Sequence, residues 1–321
     1  MNPSTPISVT EPVRTAIEHV KAVLFRPFDI SRWFTIGFCA WLAWLGEGGG
    51  GGVGGGGNRR GGGPSWSGAE DTKGWLGENL LWLIPVALGV LLLVVAIGTL
   101  VLWLSSRGKF MFLHCVVTNR AEVKAPWHQY AGLAHSVFLF RLALFLGSLL
   151  LIGLPFLGVV WTTQAVFGDR SAGLALPLFI LAGLVLFALV VVLVVVAKFT
   201  TDFVVPIVYL RGTTCLAAWQ ELLGLIQRQA GNFVLYLLFQ VVLAIGVALV
   251  ILAIVLATCC VAGCLLAIPY LGAVLLLPVF VFDRAYSLHF LRQFGPEYDL
   301  LLPPADPMTD PSPATRPLTP A

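Results

Sequence analysis

Five long apolar runs constrain this chain more than any other feature of its sequence. A helix that crosses a bilayer needs about 20 consecutive, predominantly apolar residues, because lipid cannot satisfy the hydrogen bonds of an open backbone. The clearest run, residues 80–104, contains no charged side chain, and the others carry charge only near their ends. The predicted spans are residues 80–104, 137–161, 174–197, 233–257 and 261–282.

The composition of the whole chain agrees with this prediction. Hydrophobic residues make up 58% of the sequence and charged residues only 11%, whereas soluble domains carry about 25% charged residues. A water-soluble fold with so few charges would lack the polar side chains to cover its surface. The sequence therefore predicts an all-α polytopic transmembrane bundle of about six spans within residues 33–295, with amphipathic helices at the cytoplasmic interface.

The sixth predicted span, residues 33–46, is the weakest. As a helix it would be only about 21 Å long, against roughly 30 Å of hydrocarbon. Local thinning of the bilayer, or extension back through Ile30, would let it cross. A re-entrant or interfacial segment is the alternative.

The N-terminal segment, residues 1–32, contains a stretch with apolar residues at three- and four-residue spacing. This pattern predicts an amphipathic helix, and its basic residues suit the membrane surface. The alternative is a short helix that packs on other loops of the protein.

Two polar segments, residues 107–136 and 200–232, separate predicted spans and share a pattern. Each carries a phenylalanine early, a turn-like pair in the middle and a tryptophan later. In the second segment Thr213 or Thr214 can cap a helix, and an apolar stripe through Trp219 follows. We expect both segments to lie as elbows on the cytoplasmic interface. The predicted interfacial anchors are Trp33, Trp127, Trp219, Arg107, Lys109 and Arg211.

Basic residues are distributed unevenly between the two sides that six spans would create. One side would hold both termini, both elbows and most lysines and arginines, while the other would hold only Arg59, Arg60, Lys73 and Arg170. The positive-inside rule therefore predicts cytoplasmic termini and a location in the cytoplasmic membrane. The glycine-rich run 46–63 becomes a flexible outer loop. The proline-rich tail, residues 303–321, is predicted to be disordered.

Charged residues within or beside the spans are the first candidates for chemistry. All lie near span ends, which favours snorkelling or pairing between helices over an ion pathway; they are Arg141, Lys198, Asp202, Asp283 and Arg284. The sequence contains no nucleophile elbow, HExxH motif, P-loop or kinase motif set. We therefore predict a non-enzymatic protein without catalytic, cofactor-binding or metal-binding residues, and without a nucleic-acid partner.

Two smaller patterns leave alternatives open. The first is a cysteine group at the predicted outer connection, where packed apolar side chains are expected and a disulfide or metal site is the alternative; its members are Cys259, Cys260 and Cys264. The second is a repeated Pro-aromatic-Leu-Gly piece, which predicts kinked or broken, closely packed helices. A transport site is the alternative reading of such breaks. They are expected at Pro155, Gly158, Pro269 and Gly272.

Three sequence segments carry a resemblance to known proteins. They are ISRWFTIGFCAWLAWLGEGGGGG, RGKFMFLHCVVTNRAEVKAPW and VFVFDRAY. Together they resemble an uncharacterised group of prokaryotic polytopic membrane proteins. That group is in turn similar to the membrane domain found beside glycerophosphoryl diester phosphodiesterases. The resemblance implies a helical bundle with cytoplasmic elbows, and it transfers no catalytic residue because the phosphodiesterase domain is absent from this sequence.

Two classes of function fit these patterns. The first is a membrane protein that binds membrane lipids or holds a protein partner through its cytoplasmic elbows. The second is a small-solute transporter or channel built from two half-repeats. A polar cavity near the middle of the membrane would favour the second, and an apolar interior would favour the first.

Overall fold

The computed structural model describes residues 8–26, 28–45, 69–166, 172–259 and 261–301, and every regular element in these ranges is helical. The glycine-rich run 46–63, the tail 303–321 and Cys260 therefore lie outside the described residues. The numbered helices are α1 (Glu11–Phe25), α2 (Ile30–Trp44), α3 (Ala69–Thr118), α4 (Lys124–Gln129), α5 (Ala131–Val166), α6 (Ala172–Phe199), α7 (Val205–Arg211), α8 (Cys215–Arg228), α9 (Ala230–Ala257), α10 (Val261–Ala267), α11 (Pro269–Leu275) and α12 (Leu277–Arg292).

Four stretches of helix within the described residues are long and apolar enough to cross a membrane. They are Leu88–Thr118, Ala131–Gly153, Ile180–Arg211 and Ala230–Ala257. Their outer faces carry exposed leucine, valine and isoleucine side chains, which only a lipid environment can cover. The protein is thus an all-α bundle embedded in a membrane, which confirms the predicted fold class.

The last predicted span, residues 261–282, is not one continuous helix. It is divided among α10, α11 and the start of α12, and α11 meets α12 at 62°. Pro269 opens α11 after Ile268, whose backbone is extended with ψ 114°. A proline provides no N–H and disfavours helix in the residue before it. Counted as one broken span, α11 and α12 would raise the number of crossings in the described chain to five.

The four positions at which helix breaks were expected do not all break a helix. Pro155 and Gly158 lie inside the unbroken helix α5, and Gly272 lies inside α11. A proline is tolerated within a transmembrane helix because local adjustments can satisfy the backbone groups that it frees. Of the four expected positions, only Pro269 stands where one described helix ends and the next begins.

Helix α2 is short and packs closely against α3 and α11. Its side-chain cap is Asp29, which accepts a bond of 2.9 Å from the backbone N–H of Ser31. With 15 residues it is about 22 Å long, so the prediction that this segment crosses the membrane remains a prediction. Gly108 of α3 makes the close approach possible, because a Cβ there would lie 2.6 Å from the backbone at Ala43.

The first predicted elbow is divided among three helices. Helix α3 runs on to Thr118, the chain turns at Asn119, and α4 and the beginning of α5 follow. The second contains a π-helical turn (Thr200–Val204), α7, a left-handed turn at Gly212 and α8. The helix predicted after Thr214 is therefore present as α8, although that threonine makes no side-chain capping bond.

The buried core lies at one end of the bundle, which we call the core end. It contains the end of α3, the turn after α6, and α12, through fully buried side chains such as Phe110, Phe203 and Tyr286. Helix α1 packs on α12 and buries Ala16 and Val23 there. The N-terminal segment thus closes the core end, and away from that end the long helices expose most of their apolar surface.

Candidate functional site

A charged cluster lies where the membrane-spanning part of α6 meets the core end. Lys198 Nζ is 3.1 Å from Asp202 Oδ2 and 3.0 Å from Asp283 Oδ2. Asp202 follows Lys198 by one helical turn, whereas Asp283 comes from α12. The arrangement is the pairing between helices that residues at span ends suggested, and it ties α6 to α12.

The π-helical turn at Thr200–Val204 places Asp202 inside the protein, where its residue is only 2% exposed. Tyr236 of α9 donates a bond of 2.9 Å to Asp202 Oδ2. Gln240, one turn further along α9, donates bonds of 2.8 Å to Asp283 Oδ1 and 3.0 Å to Tyr236 Oη. Buried carboxylates require such partners, so α9 helps to hold both acids.

Two further cations bond to Thr201, the residue next to Asp202. Lys109 of α3 donates a bond of 2.6 Å to Thr201 Oγ1, and Arg284 of α12 donates to the backbone carbonyl of Thr201. Both residues are at least nine-tenths buried. We use "charged cluster" for Lys109, Lys198, Asp202, Asp283 and Arg284. Its three cations exceed its two carboxylates by one charge.

A large groove opens between α6 and α9, because α6 packs on α5 while α9 packs on α8 and α10. This α6–α9 groove has a volume of about 750 Å³. Valine, leucine, alanine and isoleucine side chains form most of its lining, among them Val195, Val247 and Ile251. Its polar lining residues are Lys198, Gln240 and Asp283, so the groove reaches the charged cluster.

A second groove lies on the other side of α6, against α3 and α5. This α5–α6 groove has a volume of about 530 Å³. Its polar lining consists of Arg141, Ser148, Lys198 and Thr201. Trp44, at the end of α2, lines both grooves and stacks on Phe280 with ring centroids 4.9 Å apart.

Arg141 is positioned by hydroxyl groups of α3. Its Nη1 donates to Ser105 Oγ at 3.1 Å and to Ser106 Oγ at 3.4 Å. Ser105 in turn donates a bond of 2.7 Å to the carbonyl of Ala43 at the end of α2. The guanidinium group is therefore fixed at the side of the α5–α6 groove by contacts that involve three helices.

The predicted anchors Arg107, Trp127 and Trp33 make contacts within the protein. The guanidinium of Arg107 lies over the rings of Trp103 and Trp127, 4.7 and 4.9 Å from their centroids. Trp33 Nε1 donates a bond of 2.9 Å to the carbonyl of Val274. These contacts join helices at the core end.

Trp219 and Arg211 also contact neighbouring elements. Trp219 of α8 packs on Phe140 of α5, with ring centroids 5.8 Å apart. Arg211 pairs with Glu221 at 3.0 Å. Lys109 alone among the predicted anchors belongs to the charged cluster.

Sequence reasoning missed Tyr236, Gln240 and Trp44 as members of the site. Tyr236 and Gln240 occur four residues apart in an apolar run, so they share one face of α9. That spacing was the available signal. Trp44 carried none, because its role depends on how α2 packs.

The described ranges contain no group of three His, Cys, Asp or Glu side chains placed to share a metal ion. Cys259 and Cys264 are exposed free thiols. Cys39 and Cys115 form a separate buried pair, with their sulfur atoms 4.0 Å apart between α2 and α3.

No characterised protein and no solved structure matches this chain. Nothing links it to the membrane domains found beside glycerophosphoryl diester phosphodiesterases, so that part of the resemblance has no support. One family model matches residues 7–277, which include α1 to α11. The chain therefore belongs to this family, a family of unknown function (DUF7544).

Proposed function

We propose that this membrane protein binds a membrane lipid, with an acyl chain in the α6–α9 groove and the polar end of the lipid at the charged cluster. One observation carries the proposal: an apolar groove within the membrane-embedded part of the bundle ends at Lys198 and Asp283. A lipid has the same division between a long apolar part and a polar end. The proposal describes a binding protein and assigns no reaction.

The dimensions of the α6–α9 groove suit an acyl chain. Its lining extends along α9 from Leu237 to Ile251, which is about 21 Å of helix. One leaflet contributes roughly half of the 30 Å hydrocarbon core, or about 15 Å. The volume of about 750 Å³ also falls within the range of about 300–1,000 Å³ that is usual for ligand pockets.

The chemistry of the lining supports the same occupant. Apart from Lys198, Gln240 and Asp283, the lining side chains of the α6–α9 groove are aliphatic or aromatic. A hydrated solute would lose its water there without gaining hydrogen bonds, and this costs free energy. An acyl chain has no hydrogen-bonded water to give up on entry, and it fills the space between the helices.

We propose that the polar end of the lipid lies in the inner leaflet. The positive-inside distribution of basic residues predicts that the core end is cytoplasmic, together with both termini and both elbows. The protein would then lie in the cytoplasmic membrane, where α8 could also offer its exposed Leu216 and Leu223 to lipid or to a protein partner.

A transporter or channel is the second candidate. The observation that favours it is a small cavity beside the π-helical turn, whose lining includes Lys109, Thr201, Asp202 and Arg284. This cavity has a volume of about 10 Å³, and a single water needs roughly 10–15 Å³. Passage of a solute would require these helices to separate, so lipid binding is the better supported function.

The test measures lipid retention in detergent. The purified, delipidated protein is incubated with a fluorescent phospholipid, separated from free micelles, and assayed for bound fluorophore. Val247 lines the α6–α9 groove, so Val247→Trp should fill it and lower the bound lipid severalfold. Val250 lies on the same helix but is 60% exposed and does not line the groove, so Val250→Trp is the matched control.

The expected result is normal retention by wild type and by Val250→Trp, with a loss only in Val247→Trp. Retention that is no higher than that of an unrelated helical membrane protein would overturn the proposal. An equal loss in both variants would overturn the assignment to the groove. Circular dichroism and the elution volume of each variant establish that it is folded.

A further inference from the structure

We infer that the preferred occupant of the α6–α9 groove is an uncharged lipid whose polar end is a hydroxyl group, which donates a hydrogen bond to Asp283 or Gln240. The inference rests on the proposed lipid binding and adds the chemical class of the polar end. It depends on which hydrogen-bond donors and acceptors of the groove lining are already used within the protein.

The donors of Lys198 and Gln240 are engaged inside the protein. An ammonium group has three N–H bonds, and Lys198 Nζ contacts Asp202 Oδ2 at 3.1 Å, Asp283 Oδ2 at 3.0 Å and Asp283 Oδ1 at 3.3 Å. The amide of Gln240 has two N–H bonds, and its Nε2 donates to Asp283 Oδ1 at 2.8 Å and to Tyr236 Oη at 3.0 Å. A lipid that reaches this end of the groove therefore meets side chains whose donors are already in use.

Acceptors remain on the same side chains. An oxygen of a carboxylate or an amide has two lone pairs and can accept two bonds. Asp283 Oδ2 accepts one bond, from Lys198, and the described residues donate none to Gln240 Oε1. Asp283 and Gln240 are both partly exposed and line the groove. The polar end of the groove thus calls for a ligand that brings a donor.

A hydroxyl group is the polar end that matches this lining best. It donates one bond to an acceptor of Asp283 or Gln240, and its oxygen can accept from the indole N–H of Trp44, which belongs to the same lining. A phosphodiester has only acceptors and would bring its negative charge to the carboxylate of Asp283. A primary ammonium has donors, but it would approach the ammonium of Lys198, 3.0 Å from the same carboxylate.

The depth of the acceptors also favours an uncharged polar end. Gln240 is the seventh residue after Phe233, where the apolar run of α9 begins, so it lies about 10 Å along the helix from that end. A phosphate drawn to this depth would leave water, and the removal of a charge from water costs far more than that of a hydroxyl. The acyl part of the lipid would continue along the rest of the lining, towards Ile251.

The experiment is a competition in the lipid-retention assay. The delipidated full-length protein is loaded with the fluorescent phospholipid, and dioleoylglycerol or its methyl ether is added in the same detergent. The two competitors share their acyl chains, and the ether lacks the O–H donor. Dioleoylglycerol should displace the fluorophore from wild type at an about tenfold lower concentration. That ratio corresponds to about 1.4 kcal/mol, close to the contribution of one hydrogen bond to a charged group.

A second pair of competitors identifies the source of the hydroxyl, which can belong to a diacylglycerol or to a long-chain alcohol. Oleyl alcohol and its methyl ether repeat the comparison with a single chain. An advantage of the hydroxyl form over its ether in either pair supports the inference, and the hydroxyl form that displaces at the lower concentration identifies the class of lipid.

Asp283→Asn tests the acceptor in the protein. Its amide N–H can donate to an ether oxygen, so this variant should be displaced by dioleoylglycerol and by the ether at nearly equal concentrations. Asp299→Asn is the matched control, because Asp299 also pairs with a cation, Arg292 at 3.7 Å, has a side chain that is 11% exposed and does not line the groove. It should keep the tenfold ratio. Melting temperatures of the two variants show whether a lost ratio reflects unfolding.

The outcomes separate this inference from the proposed function. Displacement of the fluorophore from wild type by each hydroxyl form and its ether at equal concentrations, or by none of them, would overturn the hydroxyl assignment and leave lipid binding intact. A tenfold ratio that persists in folded Asp283→Asn would overturn the role of that carboxylate. No retention of the fluorescent phospholipid in the first place would overturn the proposed function itself.

Discussion

Lys198 Nζ lies 3.0 Å from Asp283 Oδ2, and this contact joins the end of α6 to α12 across the charged cluster. The same nitrogen serves Asp202 on the π-helical turn, so one ammonium group compensates two carboxylates. Asp202 has a side chain only 3% exposed, and such a carboxylate is stable as an anion only while its partner is present. The position of α6 against α12 therefore depends on Lys198.

Replacement of Lys198 by methionine should destabilise the protein strongly. The variant keeps an apolar side chain of similar length but leaves Asp202 and Asp283 without their common cation. Breaking a buried ion pair in this way costs about 3–5 kcal/mol of the free energy of unfolding. The measurement is a thermal melt in detergent, followed by intrinsic fluorescence.

The control is Arg14→Met. Arg14 pairs with Glu18 at 3.6 Å, but its side chain is 90% exposed, and exposed pairs of this kind contribute little. The double variant Lys198→Met/Asp283→Asn should recover part of the lost stability because it removes one of the two carboxylates that have lost Lys198 as their partner. A melt of Lys198→Met that coincides with that of Arg14→Met would refute the role given to the cluster.

Gly108 should not tolerate alanine, because α2 and α3 touch there through their backbones. A Cβ at this position would lie 2.6 Å from Ala43 N and 2.6 Å from Leu42 C, and backbone atoms cannot move aside as a flexible side chain can. We expect Gly108→Ala to cost about 1–3 kcal/mol, as overpacking usually does.

The matched control is Gly132→Ala in the first turns of α5, where a Cβ would have no neighbour within 4 Å. Alanine is the better helix former, by about 1 kcal/mol in a helix interior, so this variant should be neutral or slightly stabilised. Thermal melts of both variants check the prediction. Equal melting temperatures would mean that α2 does not sit against Gly108 as described.

The long helices could be predicted from the sequence because their cause is local. A run such as residues 80–104, without internal charge, places its apolar side chains in lipid, where the backbone must make its hydrogen bonds within a helix. Helix α8 was predictable for a similar reason, since its apolar stripe follows Thr214. The bend of 62° between α11 and α12 was not, because it falls at Leu276, within a stretch that is apolar throughout. The break expected at Pro269 lies one helix earlier, between α10 and α11.

The candidate site could be predicted only in part. Charged residues at span ends indicated pairing between helices, and Lys198 and Asp283 do pair. The π-helical turn that turns Asp202 inward leaves no mark in the sequence, and Tyr236 joins the site across 34 residues of chain. The α6–α9 groove forms because α6 and α9 pack on other helices and leave a space between them. The composition of the two helices does not indicate which neighbours they choose.

Acid should weaken the packing of α1 on the core end. Burial lowers the pKa of His19 below its ordinary value of 6.5, and the bond from its ring to the carbonyl of Val116 only partly opposes this. The unfolded chain therefore binds a proton near pH 6.5 that the folded chain binds only at lower pH. The stability that His19 contributes is present above 6.5 and is lost as the pH falls below it.

Thermal melts from about pH 8 to about pH 5, the range in which histidine titrates, would check this. The ring of His19 faces His289 of α12, with centroids 6.0 Å apart, so His289 contributes to the same pH range and the two must be separated. His19→Gln can keep a contact with Val116 and should flatten the pH dependence. An unchanged slope in this variant would assign the effect to other groups.

Two turns at opposite ends of the bundle offer a direct test of orientation. Cys259, between α9 and α10, is exposed and has a φ of 47°; Asn119, after α3, is exposed and has a φ of 55°. The distribution of basic residues predicts that the first faces outward and the second the cytoplasm. A membrane-impermeant maleimide should therefore label Cys259 in intact cells, and replacement by serine should abolish that label at this position.

Asn119→Cys, in a chain whose cysteines at 259, 260 and 264 are serine, should react only after permeabilisation, since the remaining cysteines at 39, 115 and 215 are buried. Labelling of Asn119→Cys in intact cells would reverse the orientation and move the polar end of the lipid, proposed at the charged cluster, to the outer leaflet.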